Sequence, residues 1–123
     1  MTNPGQNEFK AIPLPAGIWT MNLNGTLQQL NITAVDSAGN MTGLLTSTFD
    51  TAVSGFWDEV SQKLSFVSSL ANQSYAAFLF QDTFRMPGIS GSVVFTLVGS
   101  FQDFALLSSD RLAFGWYAQI GLT

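Results

Sequence analysis

The sequence predicts an all-β fold, an eight-stranded antiparallel up-and-down barrel, and three observations point to it. Apolar and polar residues alternate in short runs, as half-buried strands require. Turn-forming residues separate the runs, and no segment shows a sustained helical period. An open meander of this length would leave two unpaired edges, so we expect the sheet to close into a barrel.

The elements follow one another with short connections. Asn24-Gly25 favours a type I′ turn after the first run, and Gly39 supplies a positive φ in the second hairpin. In the second run, Leu30, Ile32 and Ala34 are expected to share one face. The predicted strands cover residues 17–23, 26–36, 40–48, 51–57, 63–69, 75–84, 92–104 and 112–120.

A length of 123 residues corresponds to one domain. We expect residues 1–15, which include three prolines, to form an extended N-terminal arm and residues 16–123 to form the barrel. The chain has no cysteine and no histidine, which excludes thiol chemistry and removes the commonest general base and transition-metal ligand. The sequence therefore predicts a protein that is not an enzyme and uses no metal or cofactor.

Charged residues make up only 10% of the chain, against about 25% in an average domain. Part of the surface must then be apolar, and such surfaces are often covered by a partner, so we expect a homo-oligomer. The four basic residues are far apart in sequence, which argues against a nucleic-acid partner.

The first eight residues lack the positive and apolar regions of a signal peptide, which favours a cytoplasmic location. No run of about 18 apolar residues occurs, so no transmembrane helix is expected. A transmembrane barrel is disfavoured because the predicted strands do not separate cleanly into an apolar outer and a polar inner face.

Two segments resemble a known superfamily. The first run opens with Gly17-Ile18-Trp19, and the second hairpin is formed by Ala34-Val35-Asp36-Ser37-Ala38-Gly39-Asn40-Met41-Thr42-Gly43. A further similarity lies in Gly55-Phe56-Trp57-Asp58. This pattern resembles the calycin superfamily β-barrels, and the avidin-like members more than the lipocalins. The resemblance implies a barrel closed at one end by a tryptophan, an open mouth for a small ligand, and a tendency to oligomerise.

The resemblance does not include a recognisable biotin site. Met21 stands where the avidin-like pocket takes an asparagine, and Asn22 is one residue out of register. Leu45 and Ser47 match inward positions of that family, but Leu45 replaces a hydrogen-bonding tyrosine.

Aromatic residues are concentrated in the predicted strands. They favour either a cavity for a small hydrophobic ligand or a core in which the rings simply fill volume. The residues predicted to line a cavity are Trp19, Met21, Leu45, Ser47, Trp57, Phe66, Phe95, Leu97, Phe114 and Trp116.

The last strands are apolar on both faces, whereas a solvated outer wall should be polar. Val94, Val98, Ala113 and Tyr117 are therefore predicted to form an oligomer interface. The alternative is that the arm or the segment 105–107 folds over this wall.

Three functions remain open from the sequence. The first is a non-catalytic binding protein for a small apolar ligand, and the alternative is a structural or interaction protein with a filled core that acts through a homo-oligomer interface. The third, an enzyme such as an isomerase, would need a buried acid such as Asp82 or Asp103.

Overall fold

The computed structural model describes residues 12–46, 50–68, 73–86, 89–103 and 113–122, without the side chains of 82–86, 89–93, 103, 113 and 122. All of its regular structure is β-strand. The eight strands are β1 (Gly17–Leu23), β2 (Thr26–Val35), β3 (Asn40–Thr46), β4 (Asp50–Asp58), β5 (Lys63–Ser68), β6 (Gln73–Met86), β7 (Ile89–Asp103) and β8 (Ala113–Leu122).

Each strand pairs antiparallel with the next, and β8 returns to pair with β1. The closing ladder sets Thr20 opposite Gln119 and Leu23 opposite Trp116. The Asn24 amide extends it by donating to the Gly115 carbonyl at 3.0 Å. The predicted fold class, an eight-stranded up-and-down barrel, is thus confirmed, and its geometry is consistent with a calycin-like fold.

Alternation along the strands divides the side chains between the two faces of the barrel. On β1, Trp19 and Met21 are buried, while Ile18 and Thr20, which precede them in the alternation, are exposed. The same period runs through the other strands and builds one continuous core. The largest fully buried side chains are Trp19, Tyr75, Phe66, Met21, Leu30, Ile32, Met41, Leu64 and Leu97.

A β-bulge interrupts the alternation in β2. Ile32 pairs with Gly43 and Ala34 pairs with Thr42, so Thr33 is an extra residue on its strand. The expectation that Ala34 shares the inner face with Leu30 and Ile32 is therefore wrong, because the bulge turns Ala34 outward and it is exposed. Thr33 instead donates its hydroxyl to the Thr42 carbonyl at 3.0 Å.

The β6–β7 hairpin is longer than the sequence predicts. We expected strands over 75–84 and 92–104, whereas pairing continues to Met86 and begins at Ile89. The partners on either side stop earlier: β5 pairs with β6 only as far as Phe78, and β8 pairs with β7 only from Val93. The hairpin therefore extends past its neighbours at one end of the barrel.

Candidate functional site

The barrel has two unlike ends. We call one the capped end: it carries residues 12–16, the β2–β3 hairpin and the β4–β5 turn. We call the other the mouth: it carries the Asn24-Gly25 turn and the last residues of β3, β5 and β7. The connections 47–49, 69–72 and 104–112, which also start from the mouth, lie outside the described residues.

Five rings occupy the barrel interior beneath the mouth, and we call them the aromatic cluster. They are Phe66, Tyr75, Phe101, Phe114 and Trp116. Tyr75 lies between Phe66 and Phe101, with ring centroids at 4.6 and 5.2 Å. Trp116 meets Phe66 and Tyr75 edge to face, and its Nε1 donates to the Ser100 carbonyl at 3.0 Å. These arrangements are the favoured ones for aromatic pairs, so the cluster gives the mouth a rigid floor.

A crevice of about 280 Å³ opens at the mouth, and we call it the mouth crevice. Phe101 and Phe114 bring two rings of the aromatic cluster into its wall, with centroids 5.2 Å apart. The remaining described lining combines one aliphatic side chain with hydroxyl and amide groups, namely Leu23, Asn24, Thr26, Gln28 and Gln73. An apolar wall with a few polar groups is the usual composition of a small-molecule site.

A buried hydroxyl lies next to this wall. Ser68 ends β5, is only 1% exposed, and its Oγ has no hydrogen-bond partner among the described residues. It lies directly opposite Gln73 in the β5–β6 ladder, so the two side chains leave the sheet on the same face. Tyr75 donates its hydroxyl to the Gln73 Oε1 at 2.5 Å. Polar groups thus gather at the edge of an otherwise aromatic interior.

A larger crevice of about 430 Å³ lies at the capped end, and we call it the capped-end crevice. Segment 12–16 supplies one wall through Pro13 and Leu14, and Leu14 is buried in the core. The β2–β3 hairpin and the end of β4 supply the others. The rest of the lining is Val35, Asp36, Ser37, Ala38, Gly39, Phe56, Trp57, Asp58 and Glu59.

Segment 12–16 is held by hydrogen bonds from two directions. The Gln62 side chain donates to the Ile12 carbonyl at 3.0 Å and accepts from the Ile12 amide at 3.4 Å. On the other side, Trp19 Nε1 donates to the Pro15 carbonyl at 3.0 Å. A part of the predicted arm is therefore a fixed wall of the barrel.

Asp36 organises the hairpin that forms the opposite wall. Its carboxylate accepts from the Ala38 amide and from the Asn40 amide, each at 2.9 Å, and from the Asn40 side chain at 3.0 Å. The side-chain hydrogen bond from Asn40, followed by the backbone hydrogen bonds, lowers the pKa of Asp36 below the usual aspartate value. The Gly39 carbonyl then accepts from the Trp57 amide at 2.7 Å, which ties the hairpin to β4.

Trp57 differs from Trp19 and Trp116 in the hydrogen bonding of its indole, as far as the described residues show. It is 5% exposed, lines the capped-end crevice, and its Nε1 finds no acceptor among the described residues. The chain has three tryptophans, and the indoles of Trp19 and Trp116 both donate to backbone carbonyls. A buried N–H without a partner costs about 1–3 kcal/mol, so this group calls for an explanation.

The structure distributes the predicted cavity residues through the interior. Phe114 lines the mouth crevice and Trp57 lines the capped-end crevice. Phe66 and Trp116 belong to the aromatic cluster below the mouth. The others that are described are buried in the core between the two ends, namely Trp19, Met21, Leu45, Phe95 and Leu97. Ser47 lies outside the described residues.

The predicted interface residues lie on the outer wall. Val98 and Tyr117 are each about half exposed and are opposite one another in the β7–β8 ladder. Val94 is half-buried, and the Ala113 side chain lies outside the described residues. Two exposed rings of β6 that are not among the predicted interface residues, Phe78 and Phe80, extend this apolar wall.

The polar residues that line the mouth crevice were also not predicted, although the strand alternation marks two of them as inward-facing. Gln28 has the same strand parity as the buried Leu30, and Gln73 has the same parity as the buried Tyr75. A polar residue at an inward position near the end of a strand is the sequence feature that indicates this lining. Leu14 had no such signal, because a proline-rich segment carries no period.

The described residues contain no group of three or more acidic, histidine or cysteine side chains arranged to hold a metal. The side chains of Asp82 and Asp103, considered as catalytic acids, lie outside the description. Across the described ranges there is no helix of the length and apolar character needed to cross a membrane.

Comparison with known proteins identifies no relative. No protein-family model matches the chain, no curated protein matches it in sequence, and no solved structure matches it. The closed antiparallel barrel and the two crevices are therefore the observations from which a function must be inferred.

Proposed function

We propose that this protein is a non-catalytic binding module that holds a small, flat, neutral and largely apolar ligand in the mouth crevice. The observation that carries the proposal is the wall formed by Phe101 and Phe114, two rings of the aromatic cluster, edged by hydroxyl and amide groups. The mouths of β-barrels are among the preferred places for ligand sites. The resemblance to calycin barrels, which bind ligands at this end, agrees with the proposal.

The lining defines the chemistry of the ligand. Two rings offer an apolar surface for an aromatic or alicyclic body, and the side chains of Asn24 and Gln28 offer both hydrogen-bond donors and acceptors. The described lining contains no charged side chain, and the chain carries a net charge of −4. An uncharged ligand with one amide or hydroxyl group fits this lining better than an anion does.

The size of the crevice limits the ligand. A volume of about 280 Å³ lies near the lower end of ordinary ligand sites, roughly 300–1,000 Å³. This favours a compound of one or two rings. The absence of histidine and cysteine from the whole chain supports binding rather than catalysis.

Isothermal titration with 2-naphthamide tests the proposal, because this compound joins a flat apolar body to one amide. We expect Phe114→Ala to weaken binding about ten-fold, since it removes one aromatic wall. Phe56→Ala, at an exposed position of β4 away from the mouth, is the matched control and should leave the affinity unchanged. The anion 2-naphthoate should bind more weakly than the amide. Binding that does not respond to Phe114→Ala would refute the assignment of the site.

A second function, self-association through the outer wall of β6 to β8, is favoured by a separate observation. Phe78, Val98 and Tyr117 are consecutive partners across three strands and are each nearly half exposed. Phe80, two residues from Phe78 on the same face, is 55% exposed. We infer that a second copy of the chain covers this wall, because few charged groups oppose such contact on a surface of this composition.

Sedimentation equilibrium tests this second proposal. Val98→Asp places a charge at the centre of the wall and should convert the oligomer into monomer. Gln29→Asp introduces the same negative charge at an exposed position of β2 and should leave the assembly intact. A wild-type chain that is monomeric at all concentrations would contradict self-association.

A further inference from the structure

Gln28 lies at an inward position of β2, at the edge of the mouth crevice. It is opposite Met21 in the β1–β2 ladder and two residues before Leu30, and both of those side chains are fully buried. Its own side chain is half-buried and lines the crevice together with Phe101 and Phe114. Strand alternation therefore places a carboxamide at the boundary between the apolar interior and the opening.

Two other amide side chains near the mouth are engaged within the fold. Gln73 accepts from the Tyr75 hydroxyl at 2.5 Å, and Asn22 accepts from the Gly25 amide at 2.8 Å. The Gln28 side chain, in contrast, makes no hydrogen bond within the described part of the chain. Because a carboxamide carries both a donor and an acceptor, Gln28 can offer both to a ligand in the crevice.

The position of Gln28 makes its amide more selective than that of Asn24, which also lines the crevice. Asn24 occupies the exposed turn with a φ of 49°, where water competes for its hydrogen bonds. Gln28 is partly removed from water, and there a hydrogen bond is stronger and an unpaired polar group is more costly. A ligand that leaves the Gln28 amide unpaired is therefore disfavoured, which gives this residue control over specificity.

We propose that Gln28 selects the ligand of the mouth crevice by pairing its carboxamide with an amide group of the ligand. The carbonyl and one N–H of a glutamine side chain lie side by side, so they match a ligand with an acceptor and a donor on adjacent atoms. Primary amides and lactams on an aromatic body have such an edge, and the body then lies against Phe101 and Phe114. The inference rests on the mouth crevice being the ligand site, and it narrows the ligand class to aromatic amides.

Isothermal titration of the full-length chain with three naphthalenes of the same shape tests the pairing. 2-Naphthamide offers a donor and an acceptor, 2-acetylnaphthalene offers only the acceptor, and 2-naphthamidine, an amidinium cation, offers only donors. The wild type should bind the ketone about ten-fold more weakly than the amide, the value of one hydrogen bond. Gln28→Leu removes the pairing group, so this variant should bind the amide and the ketone equally.

Gln28→Glu gives a result that a purely structural role would not produce. A carboxylate offers two acceptors and fits the two N–H groups of an amidinium, so the ligand preference should reverse. The amidine should bind about ten-fold more tightly than it does to the wild type, and the amide more weakly. Gln29→Glu is the matched control, because the next residue of β2 is exposed on the outer face and receives the same charge. It should leave the order of affinities unchanged.

The outcomes separate this inference from the proposed function. An amide-to-ketone ratio that is the same in the wild type and Gln28→Leu, or a Gln28→Glu variant that still prefers the amide, would overturn the role of Gln28. The mouth site would stand in that case, provided that Phe114→Ala still weakens binding. Binding of 2-naphthamide that does not respond to Phe114→Ala would refute the site itself and this inference with it.

Discussion

The two ends of the barrel are built by different means. At the capped end, side chains and backbone are joined by hydrogen bonds: Gln62 and Trp19 hold segment 12–16, and Asp36 holds the β2–β3 hairpin. At the mouth, stacked and edge-on rings from β5 to β8 pack against one another. Hydrogen bonds fix backbone segments in one position, whereas packed rings provide a surface that is rigid and still apolar.

Each end also leaves one buried polar atom without a partner among the described residues, Trp57 Nε1 at the capped end and Ser68 Oγ at the mouth. Buried polar groups are nearly always satisfied in native proteins. The comparison therefore shows that the two ends share one feature despite their different construction, a buried polar atom without a partner among the described residues.

The largest expected effect comes from removing the Trp19 indole, which holds segment 12–16 at the capped end. Trp19→Ala deletes a fully buried ring together with the hydrogen bond to Pro15, so we expect the free energy of unfolding to fall by about 4 kcal/mol. Urea denaturation measures this loss. Trp116→Ala should cost a similar amount at the mouth, yet only Trp19→Ala should expose segment 12–16 to hydrogen exchange. Equal exposure of that segment in both variants would mean that the two ends are not independent.

The next largest effect on stability concerns Gly39 and Gly25, two hairpin glycines that both have positive φ. A Cβ at Gly39 would collide with the Trp57 carbonyl and the Phe56 ring, whereas a Cβ at Gly25 meets nothing within 4 Å. Gly25→Ala should therefore cost about 1 kcal/mol, for its backbone conformation alone. Gly39→Ala should cost about 3 kcal/mol, because it adds a steric clash. Thermal denaturation of the two variants tests the difference, and equal costs would argue against the hairpin contact with β4.

A smaller effect is expected from Leu14, the side chain of segment 12–16 that is buried in the core. Leu14→Ala should lower the free energy of unfolding by about 2 kcal/mol, because the residue is buried but lies at the edge of the core. Leu27→Ala, at an exposed position of β2, is the control and should change stability by less than about 0.5 kcal/mol. Chemical denaturation measures both values. A neutral Leu14→Ala would show that segment 12–16 does not contribute to the core.

The smallest effect concerns acid pH at the capped end. The pKa of Asp36 is lower in the folded chain than in the unfolded chain, so its carboxylate stabilises the fold above about pH 4, the ordinary aspartate range. This contribution is lost as the pH falls through the lowered value. Asp36→Asn should therefore be less stable than the wild type at pH 6, and the difference should shrink below pH 4. A difference that is constant with pH would rule out a role for the charge.

The sequence predicted the closed barrel and the inner face of β1, because alternation and turn residues are local signals. It did not predict that Ala34 turns outward, since a single extra residue such as Thr33 leaves no mark on composition or period. The aromatic cluster depends on the register that brings β5 to β8 together, and Phe66 and Phe101 are not close in sequence. Tertiary contacts of this kind are not encoded in any one segment.

The capped end was predictable only in part. The resemblance placed Trp19 at a closed end of the barrel, and the indole is indeed buried there with its hydrogen bond to segment 12–16. The contribution of Leu14 was not visible, because Pro13 and Pro15 suggest only extended chain. That Trp57 Nε1 has no acceptor within the described part of the chain is likewise a property of the folded surroundings and not of the local sequence.

A crystal structure of the full chain soaked with 2-naphthamide would test most directly the claim that the mouth crevice is a ligand site. We predict electron density for the naphthalene ring against Phe101 and Phe114, with its amide within hydrogen-bond distance of Gln28 or Asn24. Density confined to the outer wall of β6 to β8, or an unoccupied mouth at saturating concentration, would contradict the claim.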